Sequence, residues 1–301
     1  MFNRRTILGL ALLAATTTLA ACSGGGSTDG GVKIRIGSKE FTEQYLLAHM
    51  FEMVLDNAGY DANYTAIGGT SENHAALLAG EIDMYPEYTG TALLVHLEKT
   101  YDANMSNMDV YDTVKDAYAE QFNVTLLQPG SFNNTYAFVM MKDRANELGV
   151  TSITDVAGQA SDLVFATDLE FADRSDGLPA MKEVYGGLDF ADVKSLDPGL
   201  LYSGLENGDV DVTTGYGTDG QIVAMDLLVL DDDKSFWPPY AIAPFVRQDT
   251  LDANPEIADI LNGVTAVLDD ETMGALNWEV AGNGKEPDEV ARQFLEEQGL
   301  L

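Results

Sequence analysis

The sequence predicts an α/β protein of two similar lobes that face a shared crevice, and three observations predict it. From residue 32 onward, short β-rich runs alternate with amphipathic stretches, the pattern of strands and helices laid down in turn with largely parallel strands. One stretch is echoed later in the chain: Leu78, Gly80, Ile82, Asp83 and Tyr88 by Leu205, Gly208, Val210, Asp211 and Tyr216. A length of 301 residues leaves room for about two domains. In each half of the echo a helix ends at Gly, a short strand follows, and a Tyr closes it. Ligands of open α/β sheets lie outside the carboxyl ends of the strands, so two such lobes each present a tyrosine to the crevice. Coincidence between two ordinary helix-to-strand turns is the bland alternative.

In chain order, residues 1–22 read as an export signal, with Arg4 and Arg5 ahead of an apolar run over 7–15. That run is too short and too interrupted by Thr to span a bilayer, and the Arg pair leaves twin-arginine export open beside the general route. Cys22 is the sole cysteine, so it forms no internal disulfide. The string LAAC that it ends resembles a bacterial lipoprotein box, which implies that Cys22 becomes a lipidated N-terminus. The string SGGGSTDGG over 23–31 reads as a flexible tether. Strands are expected over 32–36, 62–67, 82–85, 136–141, 163–166, 210–214 and 241–246. The first helix carries Tyr45, Ala48, His49, Phe51, Glu52 and Leu55 at helical spacing. The end of the chain, including 255–268 and 287–298, reads as helices packed on a finished sheet.

The chain carries 49 acidic and 16 basic side chains for a formal charge of −33. No basic patch stands out, which excludes nucleic acid as a partner. Hydrophobic residues at 46% suffice for ordinary cores, so the charge belongs on solvated faces. It suits a salt-rich habitat, where screening relieves self-repulsion, or plain solubility.

Catalytic and metal readings find little support. Gly215, Gly217 and Gly220 spell GxGxxG after an expected strand, but late in the chain and without an acidic residue at the offset a dinucleotide site needs. There is no GxSxG elbow, and His49, His74 and His96 lack the spacing of a zinc site. Residues 231–233 are all Asp but lack the ligand alternation of a calcium loop, and read as a solvated turn. No cofactor, metal or catalytic residue is expected.

The segments IGSKEFTEQYLLA (36–48), GGT (68–70), GEIDMYPEYTGTAL (80–93), NNTYAF (133–138), FADRSDGLP (171–179), YGTDGQI (216–222) and DDKSFWPPYAIAP (232–244) together resemble the substrate-binding proteins of osmoprotectant ABC importers. The resemblance runs through the whole chain after the leader. It implies a two-lobed, periplasmic-binding-protein-like (type II) fold with the ligand cleft between lobes, lobe one formed by 32–135 and 241–301 and lobe two by 136–240. It further implies a monomeric, non-enzymatic protein on the extracytoplasmic face of the cell membrane. Such a protein would capture glycine betaine or another quaternary ammonium compound and present it to a permease driven by a cytoplasmic ATPase. A choline- or carnitine-specific protein of the same class, a ligand sensor for a signalling partner, and a secreted hydrolase are the alternatives.

The chemistry of such a ligand agrees with the residues present. A trimethylammonium group has no N–H to donate, and aromatic faces hold it by cation–π attraction. By the resemblance, the cage maps to Tyr88, Tyr136, Tyr216 and Tyr240, two of which belong to the echo. Tyr45, Tyr85, Tyr111 and Tyr202 are possible substitutes. Contacts to a betaine carboxylate map by the same resemblance to Lys39, Thr91 and Arg174. Two free cations there would favour a carboxylate over the hydroxyl of choline; the alternative is that Arg174 pairs with its neighbours Asp173 and Asp176, and Lys39 with Glu40, exposed arrangements worth little. Arg174-Ser175-Asp176 departs from the Arg-Pro-Asp expected of the family, and Pro86 precedes Glu87 where another residue is common.

Overall fold

A computed structural model describes residues 31–174 and 176–301. The leader with Arg4, Arg5 and Cys22, the tether as far as residue 30, and Ser175 lie outside the described residues. The first sheet contains β1 (Lys33–Lys39), β2 (Asp61–Gly68), β3 (Met84–Tyr88), β4 (Val124–Leu126) and, from much later in the chain, β10 (Ile242–Arg247). The second contains β5 (Tyr136–Met141), β6 (Val164–Thr167), β7 (Asp192–Ser195), β8 (Val212–Tyr216) and β9 (Leu227–Val229). Their orders are β2-β1-β3-β10-β4 and β7-β6-β8-β5-β9. By role these are one topology used twice: β6 to β9 repeat β1 to β4, and β5 holds the place that β10 holds in the other sheet.

The expectation of largely parallel strands needs correction. β1 pairs in parallel with β2 and β3, as β6 does with β7 and β8, but β10 and β5 run antiparallel to both of their neighbours. Each of these two strands enters its sheet from the opposite lobe, so no crossover helix on the same sheet turns it parallel. β4, β7 and β9 were not expected; each is an edge strand of three or four residues.

The echo is structural. Gly80 ends its helix at φ 71° and Gly208 follows its own at φ 72°, a left-handed conformation that favours glycine. Asp83 then accepts the backbone N–H of Arg35 at 2.8 Å and donates its own to the Arg35 carbonyl at 2.8 Å. Asp211 repeats both bonds with Val164, at 2.9 Å and 2.8 Å. Each carboxylate thus clamps the central strand to the first strand of its lobe at the point where β3 and β8 begin.

The helix Thr42–Asn57 turns Leu46, Leu47, Met50, Phe51 and Val54 into the core, positions that fall on one face at the helical period. Burial of each side chain contributes about 1.5–3 kcal/mol. The helices Ile257–Thr265, Asp270–Ala281 and Pro287–Gln298 pack against it, matching the expected helical cover of the first sheet. No described helix is long and apolar enough to cross a membrane.

Candidate functional site

Strand direction builds the site. Because β10 and β5 run antiparallel to β3 and β8, they begin at the edge where those strands finish. Tyr88, the last residue of β3, stands opposite Ile242 on β10, with Tyr240 two residues earlier. Tyr216, the last residue of β8, stands opposite Tyr136, the first of β5. Four tyrosines therefore arrive at the facing carboxyl edges of the two sheets.

Their rings meet there. Tyr136 lies 5.2 Å from Tyr216 and 5.9 Å from Tyr240, the latter edge-on at 89°. Phe41, in the bend before the first helix, bridges the lobes by stacking on Tyr216 at 5.5 Å and facing Tyr88 at 6.3 Å. Gly90 makes room for Tyr240, since a Cβ at that position would lie 2.7 Å from the Tyr240 ring. Burial raises the pKa of all four tyrosines, so each ring is neutral near pH 7.

All seven residues assigned from the sequence, Tyr88, Tyr136, Tyr216, Tyr240, Lys39, Thr91 and Arg174, line one cavity of about 60 Å³, with Phe41, Thr70, Asn134, Asp168 and Glu170. Sequence reasoning missed these last five. Phe41, Thr70 and Asn134 sit inside quoted motifs, GSKEF, GGT and NNTY, and were readable there. Asp168 and Glu170 lie just before the FADRSDGLP segment, where only the fold reveals them. Asp168 caps the helix Leu169–Asp173 through the Phe171 N–H at 2.8 Å, and its other carboxylate oxygen is buried without a hydrogen-bond partner. Burial pushes its pKa up.

The two cations are not free, which corrects the basis for a strong preference between carboxylate and hydroxyl tails. Lys39 Nζ donates to Glu87 Oε1 at 2.6 Å, both side chains buried, and lies 5.3 Å from the Tyr88 ring centre. Burial opposes the Glu87 charge, but Lys39 and His96 more than offset it and bring its pKa down to about 2. Arg174 grips Asp176 with two donors, Nε at 2.6 Å and Nη2, while Nη1 reaches Glu170 at 3.2 Å and Thr70 at 3.5 Å. A hydroxyl tail leaves neither cation without an anion.

The weighed alternatives find structural places. Tyr45 and Tyr202 line a neighbouring interlobe cavity of about 490 Å³, and Tyr85 and Tyr111 belong to a core cluster on the first sheet. The GxGxxG glycines answer to packing: a Cβ on Gly215 would lie 2.2 Å from the Tyr202 hydroxyl oxygen, and one on Gly220 2.5 Å from Trp278. His74 and His96 stack at 3.9 Å, and burial, then His96, lowers the His74 pKa to about 4. His49 pairs with Glu52 at 3.2 Å. Within the Asp run, Asp232 accepts the N–H groups of Phe236 and Trp237 at 3.0 Å and 3.1 Å, an ordered loop rather than a merely solvated turn. Among the described residues no group of three or more His, Cys, Asp or Glu is placed to hold a metal ion.

Residues 32–297 match the family described as the substrate binding domain of the ABC-type glycine betaine transport system. The chain belongs to this family. It is 39% identical over 281 residues to the glycine-betaine-binding protein of Pseudomonas aeruginosa, covering 89% of this chain and 88% of that protein. It is 30% identical to the carnitine transport binding protein OpuCC of Listeria monocytogenes, over 98% of this chain and 96% of that one. A crystal structure described as a glycine betaine/carnitine/choline ABC transporter superposes with a TM-score of 0.72 at 30% identity, over 89% of this chain and 99% of that chain. The family's two-lobed architecture is the one built by the repeated sheets.

Proposed function

We propose that this protein is a non-enzymatic, extracytoplasmic receptor that captures glycine betaine or a closely related quaternary ammonium compound and delivers it to an ABC permease and its ATPase. The observation that carries the reading is the convergence of Tyr88 and Tyr240 with Tyr136 and Tyr216 on one cavity, with Phe41 stacked across it. A trimethylammonium group sheds water easily, donates no N–H, and gains roughly 0.5–2 kcal/mol from a well-placed ring. The unpartnered oxygen of Asp168 adds negative potential to the same wall. A ligand carboxylate would meet Arg174, Lys39 and Thr91; there it shares Arg174 with Asp176 and Glu170, so tail recognition contributes less than two unpaired cations would. The names of the relatives, glycine betaine in one and carnitine in another, support the ligand class.

Lobe one in this reading comprises 32–135 and 241–301 and lobe two 136–240, so the chain crosses twice and the crossings form a hinge. A ligand touching both lobes favours closure through its differential affinity for the closed state. The mature chain begins at a lipidated Cys22, is tethered by the residues that follow to the outer face of the membrane, and works as a monomer. Calorimetric titration of the purified chain with glycine betaine, proline betaine, choline and carnitine tests the reading. One-site binding of glycine betaine without turnover is expected; no binding of any of the four at millimolar concentration overturns it.

A further inference from the structure

We infer that Glu43 is a positioning residue that couples the aromatic cage to closure of the two lobes. It stands in the first turn of the helix Thr42–Asn57 and is 2% exposed. Four donors from four segments meet its carboxylate. Oε1 accepts from the Tyr88 hydroxyl at 2.7 Å and from Asn134 Nδ2 at 2.8 Å. Oε2 accepts from the Thr218 hydroxyl at 2.5 Å and from Asn277 Nδ2 at 3.0 Å. Tyr88 ends a strand of the first sheet, and Asn277 lies on a helix packed against that lobe. Asn134 sits on the segment passing from one sheet to the other. Only Thr218, in the turn after β8, rides wholly with the second sheet.

Separation of the lobes therefore removes one donor and leaves the others. Thr218–Glu43 is shorter than Asn277 Nδ2 to the Thr218 carbonyl at 3.0 Å, which crosses at the same place, and than Thr70 N to Glu170 at 3.3 Å and Arg174 to Thr70 at 3.5 Å. Its acceptor is a buried carboxylate, for which losing a donor is expensive. Burial raises the Glu43 pKa, and the bonds from Thr218, Tyr88 and Asn277 work against that rise. The same carboxylate holds the Tyr88 hydroxyl and with it the tilt of a cage ring. Closure and ring placement thus share one group, so a ligand seated against Tyr88 gains affinity from a contact it never touches.

The ligand part of this inference rests on the proposed quaternary ammonium reading; the latch between lobes does not. Thr218→Val keeps the shape of the side chain and removes its hydroxyl donor, and Tyr88→Phe keeps the ring and removes one of the two donors on the other oxygen. Thr218→Val is expected to weaken glycine betaine binding about tenfold, equal to about 1.4 kcal/mol, with an unchanged melting temperature in the ligand-free protein. Tyr88→Phe is expected to cost less in the Thr218→Val background than in the parent. Distances between spin labels, one per lobe, should shift towards open forms in Thr218→Val even without ligand. Parent-like affinity in Thr218→Val, strictly additive losses, or unchanged label distances would each overturn the coupling. If the parent itself fails to bind glycine betaine, the ligand reading falls while the label distances still decide the latch.

Discussion

Replacing Tyr136 with Leu separates what the cage ring does as a π face from what it does as packing. Tyr136 touches more of the cage than any other assigned ring: Tyr216 at 5.2 Å, Tyr240 at 5.9 Å, and the Arg174 guanidinium 5.6 Å from its centre. Behind it, Phe171 at 4.8 Å and Trp237 at 6.1 Å hold it in place. Ala would empty that space and cost about 3–5 kcal/mol of folding stability, mixing unfolding with lost binding. Leu keeps much of the apolar volume and removes only the face, so the binding loss should equal the cation–π gain of one ring, about 0.5–2 kcal/mol. That corresponds to roughly two- to thirtyfold in Kd. Phe keeps the face, and since burial keeps the Tyr136 phenol protonated, it changes no charge. Titration calorimetry with glycine betaine, paired with ligand-free melting curves, should give Phe within about threefold of the parent and Leu near tenfold weaker. A folded Leu variant that binds like the parent would refute the argument that the ring faces hold the cation.

Gly90→Ala places a Cβ 2.7 Å from the Tyr240 ring and 2.9 Å from the Pro239 carbonyl; the ring must move, and titration should show at least about tenfold weaker betaine binding. Glu87 has its folded pKa depressed from 4.5 to about 2, so it contributes stability above pH 4.5 that is lost as pH falls towards 2, about 3 kcal/mol over the window. Urea unfolding at pH 7 and pH 3 should show the parent losing more stability than Glu87→Gln, which starts lower because it leaves Lys39 buried without its anion. Cys22→Ser should release the protein from the membrane fraction or leave it unprocessed in a fractionation blot; wild-type protein found soluble with an unmodified thiol would reject the anchor.

The central strands were legible because their apolar runs are largely buried, and the edge strand Asp61–Gly68 because it is eight residues long: Tyr136–Met141 was expected with its observed bounds, and the rest shift by one to three residues. Val124–Leu126, Asp192–Ser195 and Leu227–Val229 were not, since an edge strand of three or four residues carries too few side chains to set up a period, and Asp192–Ser195 is mostly exposed. Strand direction depends on which lobe the chain has just left, a long-range fact with no local signature. That hidden fact is what seats Tyr136 and Tyr240 beside Tyr216 and Tyr88. Motif resemblance supplied the tyrosines without the geometry. The partner of Lys39 was out of reach, because Glu87 is 48 residues away, whereas pairing of Arg174 with its neighbour Asp176 was readable as an alternative and is what the structure shows, buried rather than exposed. Glu43 was in plain view in FTEQ, yet a Glu in a first helical turn is ordinarily a favourable exposed charge; only the meeting of four segments reveals it as a buried acceptor.

A crystal structure of the mature chain grown with glycine betaine tests the central claim most directly. The trimethylammonium nitrogen should lie within about 6 Å of the ring centres of Tyr88, Tyr136, Tyr216 and Tyr240, with the carboxylate turned towards Arg174, Lys39 and Thr91. Density for the ligand outside those rings, in the neighbouring cavity beside Tyr45 and Tyr202, would contradict it.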